Sequence, residues 1–235
     1  MDKQKELWII ANWKSNKTVQ EALEWILQVG PKLERRDNLK VVVCPQFSAI
    51  SEIKKEILVN HYPLMVGAQD LSPFPAGAYT GEESALALKQ FIDLAILGHS
   101  ERRQNFKEDD ELIAKKVAQA KEQGIIPLVC VQGSETKIPE GVRLVAYEPI
   151  WAISTGLTNT PGVGKADTPE DANQIAEILK QKYGKELEVI YGGSVNSQNV
   201  KGFVSQKNIA GVLVGNASLD AEEFKRIVEE CCKLL

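Results

Sequence analysis

The chain has 235 residues, 43% of them hydrophobic, and a formal net charge of -4. That length can bury one large core and suits one domain over 1–235, while the mild acidity excludes the basic face that nucleic acid or an anionic membrane surface would need. No apolar run reaches the roughly twenty residues of a membrane span, and residues 1–6 are too polar to open a signal peptide, so the expected setting is cytoplasmic. Cys44, Cys130, Cys231 and Cys232 lack metal-ligand spacing and read as reduced thiols, with no metal and no cofactor expected.

The first strand is expected over 7–11, an apolar run ending at Asn12-Trp13-Lys14. Thr18-Val19-Gln20-Glu21 then has the form of a capping box, ahead of a helical stripe of Val19, Leu23, Ile26 and Leu27. Strands two and three follow at 41–44 and 64–68. The next loop, from Gln69 to Thr80, is long and apolar at Leu71, Phe74 and Tyr79. A loop of that kind is expected to bury itself in a partner, the other option being a loop folded over its own barrel. The fourth strand, within 91–97, gives way to a helix at Ser100. His99, one of only two histidines, sits at that junction, where a helix N-terminus favours a neutral, hydrogen-bonding imidazole.

Strands five and six are expected at 125–130 and 144–147. Glu148 follows the sixth directly and precedes a proline, a setting that suits a general base better than a solvated surface carboxylate. Thr168-Pro169-Glu170-Asp171 supplies an N-cap and an N1 proline before Ile175, Ile178 and Leu179. The last two strands, at 189–191 and 212–214, run into Gly192-Gly193-Ser194 and Gly215-Asn216-Ala217-Ser218. Small residues there let backbone N–H groups approach an anion such as a phosphate.

Eight short strands alternating with amphipathic stretches define an α/β chain. At this size a closed parallel (β/α)8 barrel is favoured over a doubly wound sheet, because closure leaves no exposed edge. Catalytic groups in such barrels sit where strands end on the C-terminal face, and Lys14, His99 and Glu148 all fall at those positions. Alone, Lys14 is more commonly a solvated loop lysine and Gly192-Gly193 an ordinary turn; the convergence carries the signal.

Six blocks carry a closer likeness: Ala11-Asn12-Trp13-Lys14, Gly67-Ala68-Gln69-Asp70, Gly77-Ala78-Tyr79-Thr80-Gly81-Glu82, Gly98-His99-Ser100-Glu101-Arg102-Arg103, Ala146-Tyr147-Glu148-Pro149-Ile150-Trp151 and Tyr191-Gly192-Gly193-Ser194-Val195. In this order, and over nearly the whole chain, they resemble the triosephosphate isomerase family. The resemblance implies a TIM barrel that interconverts dihydroxyacetone phosphate and D-glyceraldehyde 3-phosphate through an enediolate, with a small phosphorylated triose as its only ligand. It implies that Glu148 moves the proton between carbons, that neutral His99 polarises the carbonyl, and that Lys14 and Asn12 hold the developing negative charge. Glu101 resembles the partner of Lys14, as a positioner or a proton carrier, with positioning favoured. Ser100 would hold Glu148 in the open state, and Tyr191 and Ser194 would receive a closed lid. Gly192, Gly193, Ser194, Gly215 and Asn216 would meet the phosphate. The loop 69–80 would be the arm of a homodimer, placing Thr80 near Asn12 and Glu101 of the other subunit.

The chain departs from the family pattern twice. A lid of the form Ile-Gly-Thr-Gly-Lys is stretched over 153–165, longer by about eight residues than short α/β connections. Either Ser154-Thr155-Gly156 is its phosphate-facing tip or Gly162-Val163-Gly164-Lys165 is; closeness to Glu148 favours the first, which makes Ser154 a phosphate contact. Second, 131–142 lacks an amphipathic period, so the helix after the fifth strand is expected to be shortened or missing. Its loss would leave apolar surface for the lid segment, flanking helices or another chain to cover. It also removes the family's loop glutamate that meets the lid tryptophan, leaving Glu135 as the candidate substitute. Two alternatives to the isomerase are another phosphate-binding barrel enzyme, such as a pentose phosphate epimerase, and a non-enzymatic barrel. The first resembles metal sites rich in histidine, and this chain offers only His61 and His99. The second would not need Asn12, Lys14, His99 and Glu148 together.

Overall fold

The computed structural model describes residues 6–149 and 167–235. Eight strands, β1 Leu7–Asn12, β2 Leu39–Cys44, β3 Met65–Ala68, β4 Leu94–Leu97, β5 Ile126–Val131, β6 Leu144–Tyr147, β7 Glu188–Tyr191 and β8 Ile209–Val214, pair in parallel and in chain order, and β1 closes the barrel against β8. The expected strands are all present, with two larger boundary shifts. Phe91 lies outside β4, donating its N–H to Leu88 in the preceding turn. β8 starts three residues earlier than the apolar run suggested, because Ala210 and Gly211 disguise its opening. At Gly211 the backbone has φ 153° and a Cβ would stand 2.0 Å from the Trp8 carbonyl oxygen, so only glycine lets β1 and β8 approach this closely.

Strand alternation sorts the core into two layers. Trp8, Ile10, Val42, Cys44, Leu128 and Leu144 form part of one buried cluster, while Ile9, Ala11, Val41, Val43, Val129 and Val145 join the larger cluster shared with the helices. The first set fills the barrel interior. By the same parity Asn12 continues the inward row of Trp8 and Ile10, and Glu148 continues that of Leu144 and Ala146.

Among the described residues the α-helices are α1 Val19–Val29, α2 Phe47–Asn60, α3 Ala85–Leu88, α4 Ser100–Asn105, α5 Asp110–Glu122, α6 Pro169–Tyr183, α7 Val200–Val204 and α8 Ala221–Cys232. Both halves of the Thr18 capping box form, and Thr168 accepts the Asp171 N–H at the start of α6. The buried stripe of α1 is Ala22, Trp25, Ile26 and Val29, one step round from the expected one, leaving Leu27 exposed.

No helix forms among residues 132–143, between β5 and β6. The connector provides its own cover: Val142 is buried and Ile138 packs on the core shared with the helices. Flanking helices staple it down. Lys121 of α5 donates to the Glu140 carbonyl at 3.1 Å, Lys182 of α6 to the Ser134 carbonyl at 3.1 Å, and the Tyr183 hydroxyl to the Thr136 carbonyl at 3.3 Å. Glu135 lies within 3.4 Å of the Ser134 hydroxyl, while Trp151, its expected counterpart, falls outside the described residues.

The loop after β3 divides in two. Leu71 is buried in its own barrel, but residues 74–83 are all exposed, with the Phe74 and Tyr79 rings stacked 4.3 Å apart at the tip. Among the described residues no helix is long and apolar enough to cross a membrane.

Candidate active site

Lys14 leaves β1 with a left-handed backbone, φ 54°, a conformation that costs a non-glycine residue on the order of 1–3 kcal/mol. Two side chains hold it there. Asn12 Oδ1 accepts the Lys14 N–H at 3.1 Å, and Gln69 Nε2 donates to the Lys14 carbonyl at 2.8 Å and the Cys44 carbonyl at 3.0 Å. The ammonium so placed donates to Glu101 Oε1 at 2.5 Å.

On the opposite wall, Gly98 breaks the alternation of β4 with φ 68°, and His99 becomes the N-cap of α4. Its Nδ1 accepts the Glu101 N–H at 3.2 Å; the Glu101 carboxylate, 3.8 Å away, is too far to compete. An imidazole that accepts at Nδ1 carries the proton of its neutral form on Nε2. Nε2 stands 3.2 Å from Glu148 Oε1.

Glu148 is 1% exposed. Its N–H bonds the Val131 carbonyl at 2.8 Å, which fixes the backbone at the barrel rim. Oε2 accepts the backbone N–H of Ser100 at 3.0 Å. The residue expected to hold Glu148 does so, then, through its amide and not its hydroxyl, which is buried without a partner among the described residues. Oε1 likewise makes no hydrogen bond among them, although His99 Nε2 stands close by. Beneath the carboxylate lies Gly192, where a Cβ would come within 2.9 Å of Glu148 Cγ and 3.3 Å of the Tyr147 carbonyl oxygen.

These groups open onto one cavity of about 360 Å³, whose far wall is made by Gly193, Ser194, Gly215 and Asn216. Glu101 sits behind Lys14 on an adjoining cavity instead. Ser154 and both alternative lid tips lie outside the described residues. Thr80 is exposed on the loop after β3.

Three features of the site were not read from sequence. Gln69 falls within one of the six blocks, yet nothing in the sequence marks its reach to the Lys14 and Cys44 carbonyls. Glu223 lines the cavity and braces its edge, accepting the Ser197 N–H at 2.8 Å and hydroxyl at 3.1 Å. Burial pushes its carboxyl up, but the Ser197 donors and the Arg226 guanidinium outweigh that and hold it below the ordinary glutamate value. Third, a buried charge cluster ties the loop after β3 to α4 and α5. The Lys116 ammonium, in a residue 2% exposed, donates to both Asp70 oxygens at 2.6 Å and to Glu108 at 2.5 Å, while Arg102 of α4 donates to Glu108 at 2.7 Å. Lys116 gave no signal because it sits in a helix dense in charge, where a solvated lysine is the commoner case.

A carboxylate, an imidazole and an ammonium gathered at the C-terminal rim of a closed (β/α)8 barrel, facing a glycine-lined wall, define a barrel enzyme suited to proton transfer on a small anion. Comparison with known proteins makes this specific. The family model described as triosephosphate isomerase matches residues 7–231. Curated triosephosphate isomerases from Mesomycoplasma hyopneumoniae (strain 7448) and Caldanaerobacter subterraneus subsp. tengcongensis are 38% and 36% identical, each match covering 94% of this chain and 97% of the relative. The crystal structure of triosephosphate isomerase from Bartonella henselae superposes with a TM-score of 0.82 at 25% identity, covering 97% of this chain and 99% of that one. The chain belongs to the triosephosphate isomerase family.

Proposed function

We propose that Glu148 is the base with which this chain carries out the reaction of its family, the interconversion of dihydroxyacetone phosphate and D-glyceraldehyde 3-phosphate. The observation that carries this reading is the state of its carboxylate: buried, anchored at Oε2 by the Ser100 amide, and left without a hydrogen bond at Oε1 among the described residues, beside the His99 Nε2. An unsatisfied buried oxygen at a cavity wall is costly unless a substrate proton is its partner.

Removing a proton from the carbon beside the carbonyl puts negative charge on the carbonyl oxygen. The Nε2–H of His99 would donate to that oxygen as charge develops, then exchange the proton between the two oxygens of the enediolate while Glu148 returns its own to the neighbouring carbon. Lys14 and Asn12 supply the positive field on the same side. Glu101, paired to the Lys14 ammonium at 2.5 Å, acts as positioner. At the far wall, backbone N–H groups of Gly193, Ser194, Gly215 and Asn216 are the candidates for the phosphate, with Ser154 as the contact from the lid segment; Gly192, expected among them, drops out because its N–H is taken by the Tyr147 carbonyl at 2.8 Å. The enediolate of a triose phosphate readily loses phosphate when water reaches it, so shielding is part of the chemistry.

The exposed tip of the loop after β3, with its stacked Phe74 and Tyr79, supports reading it as the arm of a homodimer reaching a second copy beside Asn12 and Glu101. Four free cysteines support a reducing, cytoplasmic setting. The test is coupled turnover of glyceraldehyde 3-phosphate without added metal. Wild type should turn over, and Glu148→Gln should lose about 10²–10⁴-fold in kcat; retained turnover in that variant would remove Glu148 from the role.

A further inference from the structure

We propose that the Asp167 carboxylate is a positioning group for the isomerisation, holding the strand end that carries the base. The inference rests on the assignment of Glu148 as base. Asp167 precedes Thr168, the N-cap of α6, and reaches sideways to two strands at once. One carboxylate oxygen accepts the Tyr147 hydroxyl at 3.2 Å, the other the Thr168 N–H at 3.2 Å, and the Asp167 N–H donates to the Tyr191 hydroxyl oxygen at 2.9 Å.

Those two tyrosines are registered partners across β6 and β7, each the last residue of its strand, with ring centres 6.4 Å apart. The residues immediately following them are Glu148 and Gly192, the base and the glycine on which it is seated. The Gly192 N–H bonds the Tyr147 carbonyl at 2.8 Å, so the two strand ends move as one. Tyr191 is fixed further by stacking on Phe203 at 3.9 Å. Among the described residues Tyr147 has no ring stacked on it. It is 1% exposed, and among the described residues its hydroxyl is given an acceptor by Asp167. A buried hydroxyl that loses its acceptor turns to find another, and the strand end turns with it. Burial and the Asp167 charge both push the Tyr147 phenol up, which keeps it the donor in this pair.

A plain helix-flanking role for Asp167 would also use its charge, at the N-terminus of α6, and would act on stability alone. Kinetics separates the two. Tyr147→Phe and Asp167→Ala are each expected to lower kcat about tenfold, since displacements of an ångström at a reacting centre cost up to a hundredfold. KM should stay within about twofold, and the double variant should be no worse than either single one, because both remove the same contact. Asp167→Asn, whose amide oxygen still accepts, should recover most of the loss. Tyr147→Phe keeps the buried ring and so guards against a variant that merely misfolds. Multiplied losses in the double variant, a wild-type kcat in Asp167→Ala, or an Asp167→Asn no better than alanine would each overturn the inference. Loss of turnover in Glu148→Gln, measured alongside, tests the base assignment independently.

Discussion

Gly192 and Glu148 show how little room a single residue has at this site. Adding a methyl group at Gly192 would press on Glu148 Cγ at 2.9 Å and the Tyr147 carbonyl at 3.3 Å, so Gly192→Ala should displace the base without touching its chemistry. An expected loss of about tenfold or more in kcat, with KM nearly unchanged, follows from misplacement alone. Glu148→Asp tests the same geometry from the other side. It withdraws the carboxylate by about 1 Å and should cost on the order of a hundredfold in rate. Equal losses of affinity and turnover in steady-state kinetics would mean that Glu148 only shapes the pocket. At this scale the sequence was most legible where parity and strand ends coincide, at Asn12 and Glu148. It was silent where a role depends on a side chain's reach, as with Gln69 bracing the Lys14 backbone from a different strand. No periodicity records which carbonyl an amide will find.

Between elements, the joints matter more than the helices themselves. Lys116 and Arg102 together neutralise Asp70 and Glu108 in a place where water cannot, and burial nevertheless pushes the Asp70 carboxyl upward. Removing the ammonium leaves Arg102 alone against two buried carboxylates, one negative charge uncompensated, so Lys116→Met should cost about 3–5 kcal/mol by denaturant unfolding. A loss under about 1 kcal/mol would show the cluster to be replaceable by packing. At the other joint, the folded state holds Glu223 below its ordinary value of 4.5. A depressed carboxyl contributes stability that is present above the unfolded value and lost as pH falls through the folded one. Wild type should therefore exceed Glu223→Gln in stability at neutral pH by under about 1 kcal/mol, and the gap should close under acid; a pH-independent gap would locate the effect in packing. The missing helix between β5 and β6 was legible from its lack of period. Its replacement by stapled loop was not, because Lys121, Lys182 and Tyr183 bond to backbone carbonyls that carry no sequence signature.

For the molecule as a whole, eight short apolar runs sufficed to define the barrel, since closure is what satisfies every strand edge in a chain of this size. The proposed homodimer contact lies elsewhere, on the exposed residues 74–83. If this tip enters a second subunit beside its Asn12 and Glu101, a charge carried there is desolvated on docking. Thr80→Arg should then weaken association by several kcal/mol unless the guanidinium finds a carboxylate. Because Thr80 is exposed within its own chain, the same change should leave the barrel intact and its thermal unfolding at high dilution unaltered. Sedimentation velocity over a falling concentration series should show monomer appearing at far higher concentration than in wild type, with specific activity dropping in step as Lys14 loses its neighbouring arm. A Glu101→Gln, Thr80→Arg pair separates repulsion from rescue: if Glu101 across the contact was neutralising the arginine, the pair should dissociate more readily than Thr80→Arg alone. Should Thr80→Arg remain dimeric at wild-type concentrations, or be monomeric with full activity, the arm does not support the neighbouring site and each barrel works alone.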